Sequence, residues 1–237
     1  MPSILITGAN GGLGVELTRQ YSADGWRVLA AVRDPARASD LDPIVRASGG
    51  GVTLHRLDVN DRAQITALAK DLASESIDVL LNNAGLMESW DYTFGRIDYA
   101  LWERILRTNL IAPVNVANAF LAHVARSERK LVVTLSSGLG SMTDNTWGKR
   151  LSPGRLYMYR SSKAAMNMAT KCLSFDLKPR GVAAVVITPG HVRTRMGGPG
   201  APLAAEESIT NVRKVIAGLT LKDSGKFFFY TGSEYPW

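Results

Sequence analysis

A tyrosine and a lysine form the pair of side chains in this sequence that is best suited to move a proton. Tyr159 and Lys163 stand four residues apart in the run Tyr-Arg-Ser-Ser-Lys, a spacing that puts both on one face of a helix. A free phenol ionises near pH ~10, and a neighbouring ammonium favours the phenolate and lowers that pKa toward neutrality. Ordinary surface pairs share this spacing, so the pair predicts acid–base chemistry only together with further groups.

A serine at the end of the preceding predicted strand supplies a further group. Ser136 and Ser137 close that strand, and Ser137 stands 22 residues before Tyr159. In an open α/β sheet the carboxyl ends of the strands line the ligand crevice. The Ser137 hydroxyl is therefore expected to face the same crevice as Tyr159.

A glycine cluster near the start of the chain predicts a nucleotide-binding turn. The strand-like run Ile4–Thr7 leads through Gly8-Ala9-Asn10-Gly11-Gly12-Leu13-Gly14 into a helical pattern. Glycines permit the tight turn and let backbone N–H groups approach a pyrophosphate, which the helix N-terminus stabilises. A position after a strand and before a helix is the context that this motif requires.

The end of the second predicted strand favours NADP over NAD. NAD sites usually carry an acid there that accepts the ribose 2′-hydroxyl. Here the strand closes on Val32 and Arg33 follows, a guanidinium that can pair with a 2′-phosphate. Asp34 stands one residue further and can still serve NAD. We expect NADP as the cofactor, with NAD the less favoured alternative.

Short β-branched runs alternate with longer helical patterns along the whole chain. Strands are predicted at Ser3–Thr7, Arg27–Val32, Val52–Arg56, Ile77–Asn82, Lys130–Ser136, Val182–Thr188 and Lys226–Tyr230. Helices are predicted at Gly12–Ala23, Asp61–Ser74, Tyr99–Arg126, Tyr157–Leu177 and Ala204–Gly218. Apolar strands that alternate with amphipathic helices are typical of βαβ units. The sequence therefore predicts an α/β fold over residues 1–237, a single doubly wound (Rossmann) domain whose seven-stranded parallel sheet has helices on both faces.

Composition excludes several other classes of protein. The 237 residues are 46% hydrophobic and include one cysteine, Cys172, which excludes a disulfide framework and a multi-cysteine zinc site. The three histidines are scattered, so no metal site is predicted. The longest apolar runs, such as Val182–Ile187, are far too short to span a membrane.

Charge and the N-terminal residues complete this picture. The formal net charge of +7 is spread along the chain, which favours a solvated surface over nucleic-acid binding. The first residues already read as a strand, so no targeting signal is expected and a cytoplasmic location is predicted.

Together these motifs resemble the short-chain dehydrogenase/reductase family over essentially the whole chain. The turn Thr7–Gly14 matches the family's Thr-Gly-x-x-x-Gly-x-Gly, and Asn82-Asn83-Ala84-Gly85 matches its Asn-Asn-Ala-Gly after the fourth strand. The Tyr-Arg-x-Ser-Lys helix and the closing Pro236-Trp237 look most like the sniffer, C-factor and carbonyl-reductase-like branch.

The resemblance implies a catalytic set of Asn109, Ser137, Tyr159 and Lys163. Tyr159 would protonate the substrate oxygen, and Ser137 would hydrogen-bond the same oxygen. Lys163 would lower the pKa of the tyrosine and hold the nicotinamide ribose. Pro113 lacks an N–H, so the helix is expected to kink and free the Asn109 carbonyl for a water of the family's proton relay.

The resemblance also implies which residues contact the dinucleotide. Asp58 would meet the adenine amino group, while Val192 and Thr194 would lie near the nicotinamide. The full set of predicted contacts is Gly8, Asn10, Gly11, Gly12, Leu13, Gly14, Arg33, Asp58, Val59, Asn83, Ala84, Gly85, Tyr159, Lys163, Pro189, Gly190, Val192 and Thr194.

Two functions follow from the resemblance. The first is an NADPH-dependent oxidoreductase that transfers a hydride between the nicotinamide and a carbonyl or alcohol substrate, reducing aldehydes or ketones. The alternative is a dinucleotide-binding, C-factor-like signalling or regulatory protein with little turnover. The resemblance allows a homodimer or homotetramer, because relatives often assemble through the helices Tyr99–Arg126 and Tyr157–Leu177. Insertions near the site sometimes accompany monomers, so the sequence leaves the oligomeric state open.

One segment departs from the family pattern. The interval from Ser137 to Tyr159 is longer than is usual in the family, which places an insertion between Ser141 and Leu156. Its apolar side chains, Met142, Trp147 and Leu151, form either a wall over the substrate or the surface of a loop.

Overall fold

Residues 1–88, 92–143 and 155–237 are described in the structure, a computed structural model. The strands in these residues are β1 (Ser3–Thr7), β2 (Arg27–Val32), β3 (Val52–Arg56), β4 (Val79–Asn82), β5 (Leu131–Leu135), β6 (Ala183–Thr188) and β7 (Phe227–Phe229). All pair in parallel into one seven-stranded sheet of order β3-β2-β1-β4-β5-β6-β7. The predicted doubly wound parallel sheet is confirmed.

Helices cover both faces of this sheet. Over the described ranges they are α1 (Leu13–Ala23), α2 (Asp42–Ala47), α3 (Arg62–Asp71), α4 (Tyr99–Leu106), α5 (Ala112–Ala125), α6 (Tyr157–Leu177) and α7 (Ala205–Gly218). Successive strand residues point to opposite faces. Ile4 of β1 therefore joins the apolar core that contains Leu17 of α1 and Val212 of α7, and Leu5 joins the core beneath α3 and α5. No helix in the described part of the chain has both the length and the apolar character needed to cross a membrane.

The predicted helix Tyr99–Arg126 is interrupted. It divides into α4, a π-helical turn at Arg107–Ile111 and α5, and the Ala112 N–H bonds to the Arg107 carbonyl five residues earlier. Pro113 has no N–H to continue the regular ladder, and a widened turn is a common way to absorb such a break. The predicted irregularity near Asn109 is therefore present, and that residue lies inside the turn.

Element boundaries differ in smaller ways from the prediction. Strands β4, β5, β6 and β7 are each shorter than predicted, because the residues at their ends turn toward loops. Helix α2 was not predicted, since six residues are too few to show a helical period.

The sheet opens a crevice where the helices change face. Strands β1 and β4 are neighbours, yet β1 leads into α1 on one face while the segment after β4 leads into α5 on the other. Doubly wound sheets bind ligands at such a point, outside the carboxyl ends of the strands. Gly8, Asn83 and Ser137 all follow strands at this edge.

Candidate active site

Helix α6 holds Tyr159 and Lys163 in its first two turns, and both side chains are buried. The Lys163 Nζ lies 5.7 Å from the centroid of the Tyr159 ring. The same Nζ donates a hydrogen bond to the Leu135 carbonyl at the end of β5, at 3.1 Å. The predicted pair is therefore brought together at the carboxyl edge of the sheet.

Burial moves the two pKa values in opposite directions. It raises the pKa of Tyr159 to about 12, although a hydrogen bond from Ser137 acts to lower it. It lowers the pKa of Lys163 to about 8. The Tyr159 pKa therefore lies further from neutrality than that of a free phenol, whereas stabilisation of the phenolate by Lys163 stays a prediction. The cost of burying a phenolate exceeds the stabilisation that neighbouring groups give it. The Lys163 ammonium lies beside the ring and donates to the Leu135 carbonyl.

Ser137 joins this pair from the end of β5. Its backbone is extended, and its Oγ accepts a hydrogen bond from the Leu139 N–H at 3.2 Å, which starts a short 3₁₀ turn at Gly138–Gly140. Its hydroxyl also lies near enough to the Tyr159 phenol to lower the pKa of that phenol. The predicted serine, tyrosine and lysine thus form one continuous cluster.

Asn109 lies deeper, on the π-helical turn, with 1% of its surface exposed. Its Oδ1 accepts from the Leu86 N–H at 2.7 Å, and its Nδ2 donates to the Leu86 carbonyl at 2.9 Å. The Nδ2 also donates to the Ser162 Oγ at 3.0 Å. The side chain therefore ties the segment after β4 to α6, directly beside Lys163.

The glycine turn leaves no room for side chains inside it and is open outside. A Cβ on Gly14 would lie 2.3 Å from the Gly8 carbonyl oxygen, and Gly8 itself has φ of +65°. Gly11 and Gly12 are exposed, and no side chain caps the N-terminus of α1. Free N–H groups at a helix N-terminus, approachable through glycine, suit a pyrophosphate. The turn fits the dinucleotide that the sequence predicts.

Asn83 fastens the end of β4 to this turn. Its Nδ2 donates to the carbonyls of Thr7 and Gly8 at 2.9 and 3.1 Å. The backbone N–H groups of Asn83 and Ala84 both donate to the Thr7 Oγ1 at 3.1 Å. A Cβ on Gly8 would come within 3.0 Å of the Ala84 Cα. These predicted contact residues therefore shape the turn as well as border it.

The end of β2 presents an exposed guanidinium. Arg33 is exposed, whereas the Asp34 carboxylate accepts from the Ala36 N–H at 3.1 Å and caps a 3₁₀ turn. A carboxylate engaged in a cap is less available to a ribose hydroxyl. The same turn exposes Arg37, a second cation at the end of β2. The sequence did not indicate it, because the tight turn that begins at Asp34 was not predicted to bring Arg37 back toward this strand end.

The remaining predicted contact residues lie in two loops. After β3, the half-buried Asp58 accepts from the Asn60 N–H at 2.9 Å, and Val59 is buried. After β6, the segment through Gly190 folds back so that a Cβ on Gly12 would come 3.2 Å from the Thr194 side chain. The loop after β6 therefore meets the glycine turn.

The insertion begins with a backbone anchor. The Ser141 Oγ and the N–H groups of Met142 and Thr143 donate to the Trp237 carbonyl at 2.9, 2.7 and 3.0 Å. The Met142 side chain is 88% exposed, so it packs against no wall of the described site. Trp147 and Leu151 lie outside the described residues, and the proposed wall over the substrate stays a prediction for them.

The sequence matches a family profile described as short chain dehydrogenase over residues 2–201. The chain belongs to the short-chain dehydrogenase family. This short-chain dehydrogenase is 40% identical to the C-signal of Myxococcus xanthus over 171 residues, which cover 72% of this chain and 99% of the relative. It is therefore an oxidoreductase by family, as the sequence predicts.

Solved structures support the same assignment. The carbonyl reductase Sniffer of D. melanogaster is 30% identical and superposes with a TM-score of 0.91, each chain being covered in full. An NADPH-bound carbonyl reductase from chicken fatty liver is also 30% identical, with a TM-score of 0.90 over all of this chain and 94% of the other. The predicted branch of the family is confirmed.

Proposed function

We propose that this short-chain dehydrogenase is an NADPH-dependent reductase of aldehydes or ketones in which Tyr159 donates the proton. The observation that carries the proposal is the buried cluster at the crevice: a phenol whose pKa the Ser137 hydroxyl lowers, with the Lys163 ammonium 5.7 Å from its ring. The NADPH-bound carbonyl reductase, superposable at a TM-score of 0.90, supports the choice of cofactor and substrate class.

The predicted contact residues would hold the dinucleotide along the crevice. The N–H groups of the glycine turn would bind the pyrophosphate, and Arg33 would pair with the 2′-phosphate. Asp58 would bind the adenine, while Thr194 and its loop would cover the nicotinamide. When bound, NADPH supplies the hydride for reduction.

Tyr159 is suited to hold a proton until the substrate oxygen needs it. A phenol with a pKa of about 12 stays protonated at neutral pH, and an alkoxide that develops on a carbonyl oxygen is a stronger base than phenolate. The Ser137 hydroxyl, which lies beside the phenol, would donate to that same oxygen and stabilise its charge. Lys163 stabilises the phenolate left after the proton has moved.

Asn109 supports the site by holding other parts of it in place. Its side chain is fully engaged with Leu86 and Ser162, so it fixes α6 against the segment after β4. The role of its main-chain carbonyl in a proton relay stays a prediction.

The alternative, a nucleotide-binding signalling protein with little turnover, is not favoured. The cluster retains a proton donor, a hydrogen-bond donor and a cation in contact range, and the solved neighbours named above are carbonyl reductases. Homodimer or homotetramer formation also stays a prediction.

The proposal is tested by turnover with a matched pair of tyrosine variants. Purified protein should oxidise NADPH in the presence of members of a panel of aldehydes, ketones and diketones. Tyr159→Phe should lower kcat by roughly 100-fold or more, because it removes the acid. Tyr157→Phe, at a partly exposed tyrosine two residues earlier on α6, should leave kcat unchanged. Undiminished turnover by Tyr159→Phe would overturn the assigned proton donor.

A further inference from the structure

We propose that Asn167 is a positioning residue that sets Ser137 against helix α6. This inference rests on the proposed function, because it assigns Asn167 a role in the proton and hydrogen-bond chemistry of Ser137 and Tyr159. Nothing in the sequence pattern sets Asn167 apart from other polar residues of α6.

Asn167 holds the chain on both sides of Ser137. The side chain is 3% exposed, its Oδ1 accepts from the Ser136 Oγ at 2.6 Å, and its Nδ2 donates to the Gly140 carbonyl at 3.3 Å. One partner directly precedes Ser137 and the other closes the turn that follows it. A single buried amide therefore brackets the predicted serine.

The same amide belongs to the face of α6 that carries the other two groups. Asn167 stands four residues after Lys163 and eight after Tyr159, and such spacings recur on one face of a helix. The helix that carries the phenol and the ammonium thus also holds the residues on either side of Ser137. Asn167 makes this connection between α6 and the residues that flank Ser137.

Close packing makes this connection sensitive to small displacements. A Cβ on Gly140 would lie 2.9 Å from both the carbonyl carbon and the Cβ of Lys163, so the turn after Ser137 rests directly on the helix. From the other side, the Gly138 N–H donates to the Thr188 Oγ1 at 3.0 Å. Removing Asn167 removes the side-chain hydrogen bonds by which α6 holds Ser136 and Gly140, on either side of Ser137. Ser137 is then freer to move relative to Tyr159.

The expected effect lies in turnover rather than in cofactor binding. Misplacing a reacting group by about 1 Å can cost on the order of 100-fold in rate. The glycine turn that would bind the dinucleotide follows β1 and makes none of the bonds of Asn167. We therefore expect a loss of kcat with unchanged affinity for NADPH.

Two variants and one control test this. Asn167→Leu keeps the number and branching of the side-chain heavy atoms and removes both hydrogen bonds, and Ser136→Ala removes one bond should the first variant fail to fold. Thr170→Val is the control, since Thr170 is buried on the same helix and bonds only the Met166 sulfur. Asn167→Leu should lower kcat roughly 10- to 100-fold, Ser136→Ala less, and Thr170→Val should not change it. NADPH affinity by calorimetry should stay within about twofold of wild type in all three.

A double-variant cycle separates positioning from general damage. If Asn167 acts through Ser137, then Asn167→Leu should cost little more in a Ser137→Ala background. Equal loss in both backgrounds, or full kcat in Asn167→Leu, overturns the inference. A crystal structure of Asn167→Leu decides the matter where turnover is too low to measure: the Ser137 Oγ should be displaced from Tyr159, and an unmoved Oγ overturns the inference.

The proposed function fails separately from this inference. Wild-type protein that reduces no carbonyl, or an active Tyr159→Phe, refutes the function itself. The role of Asn167 alone is refuted if the wild-type protein turns over, Ser137→Ala impairs that turnover, and neither Asn167→Leu nor Ser136→Ala does.

Discussion

Burial reverses the order in which the two titratable side chains of the site hold their protons. The ordinary pKa values of tyrosine and lysine are 10.0 and 10.5, whereas those of Tyr159 and Lys163 are about 12 and about 8. Both shifts disfavour the charged form, because each group leaves water. On raising the pH, Lys163 therefore loses its proton well before Tyr159.

This order predicts which group limits activity in alkali. Lys163 is charged below its pKa of about 8 and neutral above it, and its charge is what stabilises the phenolate. Reduction should therefore weaken as the pH rises through about 8, and the measurement is kcat/KM from pH 6 to 10. A Lys163→Arg variant that remains active should lose this alkaline decline, because arginine stays protonated throughout. A wild-type profile that is flat to pH 10 contradicts the prediction.

Arg33 should decide between the two dinucleotides. Arg33→Ala should weaken NADPH binding roughly 10- to 100-fold, the usual strength of a charge-assisted bond to phosphate, and leave NADH binding within about twofold. Calorimetric titration of each cofactor measures both effects. Arg46→Ala, at an exposed arginine on α2, is the control and should change neither. Equal losses for the two cofactors would refute the role of Arg33.

Residue types and spacing were enough to predict that Tyr159, Lys163 and Ser137 lie together, because helical period and strand ends indicate their positions without knowledge of the fold. The direction of the Tyr159 pKa was not predictable in this way. Spacing reveals a neighbouring cation, whereas the degree of burial that outweighs it depends on packing. The contacts of Asn167 were not predictable for a related reason. Its partners are a serine hydroxyl and a main-chain carbonyl outside α6, and no sequence pattern indicates that these groups lie next to it.

At the scale of elements, the break in the long helix shows what a proline does and does not specify. Pro113 correctly predicted an irregularity four residues earlier. The π-helical turn at Arg107–Ile111 that results also turns the Asn109 side chain inward to Leu86 and Ser162. That second consequence depends on where α6 lies, which the proline does not determine.

The C-terminal segment is an element whose contribution can be measured. The Trp237 ring lies 5.4 Å from that of Phe227, and the Lys171 Nζ lies 5.8 Å from it. Trp237→Ala should lower the free energy of unfolding by about 1–3 kcal/mol through lost aromatic contact, measured by urea denaturation. Trp237→Phe, which keeps a ring over Phe227, should recover most of the loss. Wild-type stability in Trp237→Ala would refute this account.

For the whole molecule, alternation of strands and helices predicted the doubly wound sheet because every strand is flanked by a helical period. Local patterns do not determine where a strand ends, so β4, β5, β6 and β7 were predicted one or two residues too long. The short helix α2 was not predicted, because its six residues are too few to show a helical period. The resulting fold superposes on two carbonyl reductases with TM-scores of 0.91 and 0.90.

Global stability should fall in mild acid because of a buried histidine. His123 on α5 lies beneath α3, its Nε2 2.9 Å from the Ala69 carbonyl, and burial holds its pKa below the ordinary 6.5. The unfolded chain then binds a proton near pH 6.5 that the native state does not, so the free energy of unfolding should decrease as the pH falls from 7 to 5. His55 has a lowered pKa for the same reason.

Urea denaturation at pH 7 and pH 5 measures this loss. His123→Gln, which does not titrate, should reduce the difference between the two pH values, and His55→Gln serves as the comparison at a less buried position. Carboxylates of lowered pKa, such as Glu16 and Glu75, also stabilise the native state. They lose this effect only below about pH 4.5, which lies outside the range from pH 7 to pH 5. An unchanged difference in His123→Gln would contradict the assignment.

The contact between Gly140 and Lys163 sets a limit on how this enzyme can be redesigned. The atoms nearest to a Cβ at position 140 include main-chain atoms of Lys163 and Ala164, at 2.9 and 3.1 Å, which cannot rotate aside as the tip of a flexible side chain can. Even a methyl group there must push a helix or a turn. A library that randomises the loop after Ser137 to alter substrate preference should therefore hold position 140 constant and place its diversity elsewhere.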